Sequence, residues 1–310
     1  MISELFSVTV LIGILASGIR LATPYLYAAI GETFGQKSGV LNLGVEGQML
    51  IGCFTAFYIT FITGNLWLGL LAAIIAGALM GLAMAYVTVN LQAEQGISGI
   101  GFYLFGLGMS DLLFQKLMGT VETVKGFPKV SIPVLSGIPV VGEIFFNQNI
   151  LVYGAYLLVP ISWYVLNKTT LGLKIRSVGE NPDAADSLGV SVARVRYFTI
   201  TIGGILSSIA GASLSIALLN VFQQNMTSGL GFIAVALVYF GAWRPLGVLG
   251  GALLFSLINS LQLWVQVLSI PIPSDIAVMM PYVVTILVLV ATASRARAPS
   301  ALTKPFEREN

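Results

Sequence analysis

Nine apolar runs, at about 5–30, 40–62, 66–90, 97–118, 149–166, 196–219, 229–243, 246–269 and 276–293, take up most of a chain of 310 residues. Crossing the hydrocarbon of a bilayer as helix takes about twenty apolar residues. Hydrocarbon offers the backbone no hydrogen-bonding partner, so a spanning chain must be helical or close into a barrel. Runs this long and continuous read as helix. The pattern predicts an all-α integral membrane protein, a polytopic bundle of about nine transmembrane helices forming one domain over 1–310. Only 9% of the residues are charged, where soluble domains carry about a quarter.

The fifteen Lys and Arg residues set the orientation. Cytoplasmic loops of membrane proteins carry an excess of cations. With 167–196 placed in the cytoplasm and the runs alternating, eleven cations fall inside: Lys37, Lys168, Lys174, Arg176, Arg194, Arg196, Arg244, Arg295, Arg297, Lys304 and Arg308. Lys116, Lys125 and Lys129 fall outside, and Arg20 lies within the first run. The bias predicts a multi-pass membrane protein with a cytoplasmic C-terminus.

Two connectors stand out. The 119–148 segment is long and punctuated by Pro and Gly, and predicts an external loop with a short helix or hairpin lying on the bundle. The 167–196 segment is polar and cationic. Within it Asn181 suits a helix N-cap, Pro182 the first turn, Asp183 the positive helix end and Gly189 a left-handed stop. A short capped helix at 181–189 follows. Ala184 and Leu188, one turn apart, form its apolar face. On these residues alone, a docking helix and a solvated loop helix stand level.

Polar groups inside the runs are the next signal, because lipid tolerates them only paired or wet. Arg20, Glu46 and Asp111 are the ionisable ones, and relative depth favours an Arg20–Glu46 pair that fixes helix register. The text GETFGQKSGVLNLGVEGQM at 31–49 holds five glycines with Glu32, Gln36, Asn42, Glu46 and Gln48. Its glycines predict a broken or kinked helix, admissible only against protein or a wet cavity. Amides there suit hydrogen-bonding solutes, and loop duty explains them equally well. Asn220 and Gln223 belong to a second amide cluster at the outer side. Asn42, Glu46, Gln48, Asn220 and Gln223 are thus the candidate substrate-path residues. Small residues at every fourth position, Ala73-Gly77-Gly81-Ala85 and Gly203-Ser207-Gly211-Ser215, predict close helix packing. Ser98-Gly99-Ile100-Gly101-Phe102 and Ser228-Gly229-Leu230-Gly231-Phe232 echo one another, one starting inside and one outside, in the manner of an inverted repeat.

The chain has no histidine and one cysteine, Cys53. That leaves no metal cluster, disulfide framework or catalytic set, so an enzyme, a metal site and a cofactor are not expected. No Gly-Lys dipeptide occurs, so there is no phosphate loop for ATP.

Three stretches carry a resemblance: 31–49, TLGLKIRSVGENPDAADSLGVSVARVRYFT at 170–199, and GFIAVALVYFGAWRPLGVLGGALLF at 231–255. Together they resemble the permease subunits of bacterial ABC importers, in the family of ribose-type and branched-chain amino-acid-type permeases. SGVLNLGVEGQM looks most like the nucleoside and simple-sugar members. The resemblance implies alternating access driven by a separate cytoplasmic ABC ATPase, with a second permease subunit in a hetero- or homodimer. It further implies an extracytoplasmic substrate-binding lipoprotein, a membrane-lipid environment and no nucleic-acid partner. It assigns ATPase coupling to Gly179, Glu180, Asn181, Pro182, Asp183, Ala184, Ala185, Leu188 and Gly189. The expected cargo is a nucleoside or simple sugar. A branched-chain amino acid permease, or an ion-coupled secondary transporter acting alone through Glu46 and Asp111, are the alternatives.

Overall fold

The computed structural model describes residues 7–268, 273–292 and 297–307. Arg295 and Arg308, counted above among the tail cations, lie outside them. The first helix, α1 (Val8–Lys37), runs through the glycines at 31 and 35 and stops at Lys37. The break comes later, at 38–44, where Gly39 takes φ +90°. After it come α2 (Val45–Thr63), α3 (Leu66–Ala85), which ends in a π-helical turn at Tyr86–Asn90, and α4 (Gln95–Leu117). The 119–148 connector forms a small hairpin. Strand β1 (Lys129–Ser131) pairs antiparallel with β2 (Asn147–Asn149), with a five-residue helix α5 (Val141–Phe145) between them.

A transmembrane helix, α6 (Ile150–Lys168), then leads to two short ones, α7 (Thr170–Glu180) and α8 (Pro182–Ser187). Next are α9 (Val192–Ser213) with a π-helical turn at Leu214–Leu218, α10 (Leu230–Phe240), α11 (Pro245–Val267) and α12 (Ser274–Thr292). Among the described residues seven helices are long and apolar enough to cross a membrane: α1 to α4, α6, α9 and α11. Of the other two expected runs, 276–293 forms α12, 19 residues long, and 229–243 falls short. The run at 229–243 folds into α10, only 11 residues, about 16 Å against a hydrocarbon core of about 30 Å. It is a half-span.

Helix α9 is the centre of the bundle and packs on α1, α2 and α3. No hydrophobic force joins helices in lipid, so close approach through small residues must hold them. A Cβ on Gly211 would sit 2.0 Å from the Met49 carbonyl oxygen, and one on Gly52 would sit 2.3 Å from that of Ser208. The two small-residue ladders do not face each other. Gly77 and Gly81 of the first meet Gly204, Ser208 and Thr201, whereas Gly203 and Gly211 of the second meet Gly31 and Met49. Helix α9 thus meets its three neighbours through more than one stripe of small residues.

At one end of the bundle a C-terminal strap, residues 297–307, lies across the helix ends. The Ala301 amide donates to the Gly179 carbonyl at 2.9 Å, and the Thr303 amide to that of Gly39 at 3.1 Å. Arg196, 1% exposed, donates from Nε to the Ser38 carbonyl (3.3 Å) and from Nη1 to that of Lys304 (3.2 Å). Lys37, the 167–196 segment and the strap therefore share one cation-rich end.

Candidate functional site

The break at 38–44 is held by a buried polar network. Gln36 Nε2 and the Asn42 amide both donate to Glu32 Oε1, at 2.9 and 3.0 Å. Asn42 Nδ2 donates to Gln48 Oε1 at 3.1 Å, and Trp243 Nε1 to Gln36 Oε1 at 2.7 Å. These side chains are buried. A helix interrupted in lipid frees backbone groups, and they must find protein partners. Asn42 serves that need: its Oδ1 accepts from the Gly44 amide at 2.9 Å, and Gln48 Oε1 holds its side-chain nitrogen in place.

Glu46 lies at the start of α2, 1% exposed. Its Oε1 accepts from Thr227 Oγ1 (2.6 Å) and the Gly229 amide (2.7 Å), and its Oε2 from the Gly231 amide (2.6 Å). The expected Arg20–Glu46 pair is therefore corrected: the carboxylate binds the turn that opens α10. A half-helix exposes unpaired amides and a positive dipole end at its N-terminus. Glu46 satisfies both. Gly231 packs directly on it, a Cβ there meeting the Glu46 backbone at 2.6 Å, so only glycine admits the approach.

The same contacts revise the repeat. Gly99 packs on Leu43, and the Tyr103 and Phe232 rings meet edge to face at 5.2 Å. Both copies converge on residues 43–47 instead of starting at opposite ends of the bundle.

Beside this turn is a cavity of about 170 Å³ lined by Tyr25, Met226, Thr227, Ser228, Leu230, Phe255, Asn259, Gln262, Pro281 and Tyr282. Tyr25 and Tyr282 meet the Phe255 ring edge-on, at 5.2 and 6.0 Å. The lining offers hydroxyls, two amides and aromatic faces, and among the described residues no charged side chain. Of the chamber residues, sequence reasoning missed Tyr25, Phe255, Asn259, Gln262 and Tyr282. Asn259 and Gln262, one helical turn apart in an apolar run, were the available signal.

At Asn220 it is the backbone that holds the 119–148 connector: its main-chain carbonyl accepts from the Val124 amide at 3.0 Å, and the Phe127 amide donates to the Ile216 carbonyl at 2.9 Å. The connector is thereby stitched to the segment that leads from α9 to α10. Gln223 is exposed. Asp111 faces the backbone amide of Asn225 in that segment.

At the cation-rich end, Asn181 Oδ1 accepts from the Ala184 amide at 3.0 Å with Pro182 in the first turn of α8, and Gly189 takes φ +82°. Leu188 is 85% exposed, and Ala184 is exposed beside it. Ala185 instead faces inward at 3% exposure. Gly179 packs on Lys37, where a Cβ would meet the carbonyl oxygen at 2.1 Å. Glu180 accepts from Ser300 Oγ at 3.0 Å. Helix α7, which sequence reasoning missed, sets this surface against the bundle through buried Ile175 and Val178, with Thr169 capping its start.

Residues 14–289 match the family described as branched-chain amino acid transport system, permease component. The putative glucose ABC transporter permease protein TsgC13 of Haloferax volcanii is 38% identical, over 96% of this chain and 98% of its own length. The guanosine ABC transporter permease protein NupQ of Bacillus subtilis is 38% identical, over 92% and 93%. The nucleoside ABC transporter permease protein NupC of Lactococcus lactis is 36% identical, over 93% and 94%. No solved structure matches the chain. A bundle centred on α9, a half-helix tied at its start to a buried carboxylate, and a match over nearly the full length agree: the chain belongs to the permease-component family of branched-chain amino acid-type ABC transport systems.

Proposed function

We propose that this chain is the membrane permease of an ABC importer and moves a neutral, hydrogen-bonding solute, a nucleoside or simple sugar, by alternating access. The uncharged chamber beside the Glu46 turn carries this reading. A half-helix N-terminus in the bundle would attract an anionic group, but here the Glu46 carboxylate already occupies it. The adjoining lining of Tyr, Thr, Ser, Asn and Gln has no counter-charge for a zwitterion. It supports a solute recognised by hydroxyl and amide hydrogen bonds and by ring stacking. The names of the full-length relatives, guanosine, nucleoside and glucose permeases, support the same class.

A branched-chain amino acid carries two charges that this lining would leave unpaired. An ion-coupled carrier acting alone through Glu46 would need that carboxylate free, and Glu46 already has three donors. Exposed Leu188 and Ala184 on the rigidly capped α8 support docking to a separate ATPase at that end. The cation bias supports placing that end in the cytoplasm. The external hairpin, stitched to the segment between α9 and α10, supports contact with an extracytoplasmic binding protein. A second permease subunit completes the proposed assembly.

The test is uptake in cells expressing the chain with the ATPase, binding protein and second permease of its proposed assembly. Labelled guanosine or ribose should accumulate and leucine should not. Asn259→Leu should cut uptake by about tenfold or more, the effect of leaving a substrate polar group unpaired. Leucine accumulation unaffected by excess guanosine would overturn the substrate class.

A further inference from the structure

A second cavity, of about 790 Å³, opens at the cation-rich end between α1, α6, α7 and the α10–α11 turn. Lys37, Arg176 and Arg244 line it together with Trp163, Asn167 and Trp243, and among the described residues no carboxylate does. Lys37 lies within electrostatic reach of both arginines and of Glu180. Glu180 is engaged by Ser300. The turn that presents Arg244 is strained. Ala242 and Trp243 take φ +48° and +55°, a left-handed conformation that side-chain-bearing residues rarely adopt. Trp243 is locked there by its indole N–H on Gln36 and by an edge contact with Tyr239 at 4.8 Å. The locked turn holds a third cation beside two others against their mutual repulsion.

We infer that this cavity binds a phosphate-bearing anion. Arginine forks match phosphate oxygens in pairs, and lysine adds a compact charge. Trp163, partly exposed beside the cations, suits the polar–apolar boundary of a bilayer. Basic pockets between helices at the cytoplasmic face are where anionic headgroups bind. Two sources share the chemistry: an anionic phospholipid of the inner leaflet, and a soluble phosphomonoester such as a nucleoside monophosphate. The inference goes beyond the transport reading and uses only its orientation.

The experiment follows thermal unfolding of the full chain by tryptophan fluorescence. One arm compares nanodiscs of phosphatidylcholine alone with nanodiscs containing phosphatidylglycerol. The other adds adenosine monophosphate, with adenosine as control, in phosphatidylcholine alone. Stabilisation by phosphatidylglycerol assigns the lipid source, and stabilisation by adenosine monophosphate but not adenosine the soluble one. In either case Arg176→Gln with Arg244→Gln should weaken the apparent affinity by about thirtyfold. Arg244→Lys, which keeps the charge, should weaken it far less and serves as the informative variant if the double substitution prevents folding. No stabilisation by either anion, or equal stabilisation of native and substituted chains, would overturn the proposal. The side is tested separately. Cys53 is the sole cysteine and is buried, so Asn167→Cys provides one accessible thiol. An impermeant maleimide should label it in inside-out vesicles only. Labelling from the outer face would overturn the inner-leaflet source and the orientation while leaving the binding result standing.

Discussion

At the scale of single residues, Glu46 is tightly constrained. Three donors converge on it from one turn, and hydrogen bonds to a charged acceptor contribute about 1.5–3 kcal/mol each. Glu46→Gln keeps the shape, but it turns an amide N–H₂ toward at least one backbone N–H. We expect a loss of about 2 kcal/mol, read as a lowered unfolding midpoint in detergent, and loss of uptake as the 227–231 turn leaves its place. An unchanged midpoint would mean the carboxylate is not what holds the turn. Glu46 was legible as a polar residue that had to have a partner. Its partner was not, because sequence separates the two by more than 180 positions and depth counting assumed that the α10 run crosses the whole membrane.

Among the helical elements, glycine placement separates packing from permissiveness. Gly211→Val should drive α9 off α2, costing about 3 kcal/mol or more by overpacking and abolishing membrane-stable protein on a blot. Gly101, in α4, has nothing within 4 Å of an added Cβ, so Gly101→Ala should gain about 0.5–1 kcal/mol through helix propensity. Comparable effects of the two substitutions would show that glycine content, not contact, governs stability. Helix α8 offers a second contrast. Leu188→Asp should leave folding intact, because the side chain is 85% exposed, and should reduce ATP-coupled uptake by tenfold or more if docking rests on it, about the effect of losing one buried apolar anchor. Ala185→Arg should instead lower the unfolding midpoint, because Ala185 is inside. The capped helix was readable from Asn181, Pro182 and Gly189, since caps are local chemistry. Which of Ala184 and Ala185 faces outward depends on where α7 sets the helix down.

For the whole molecule, the strap gives the cation-rich end its rigidity. It ties Gly179 and Glu180, beside α8, to Gly39 at the broken helix and to the buried Arg196. These contacts form a route by which movement of α8 would reach the 38–48 network. Ending the chain after Arg297 should leave insertion normal and permit ATP hydrolysis by the partner, while uptake per ATP falls several-fold. Proportional losses of hydrolysis and uptake would place the strap in assembly instead of transmission.

The sequence by itself determined that the chain is helical and membrane-embedded, where its cations gather and which nonapeptide forms a capped helix. Each of these follows from local composition and from the insolubility of bare backbone in hydrocarbon. Tertiary structure alone decided that the 229–243 run is a half-span, that Glu46 seats its first turn, that Asn42 and Gln48 hold a broken helix together, and that Tyr25, Asn259 and Gln262 share a chamber. Those outcomes depend on which helix lies beside which. In lipid that choice is made by close packing of small residues, a contact between distant segments that no periodicity within one segment records.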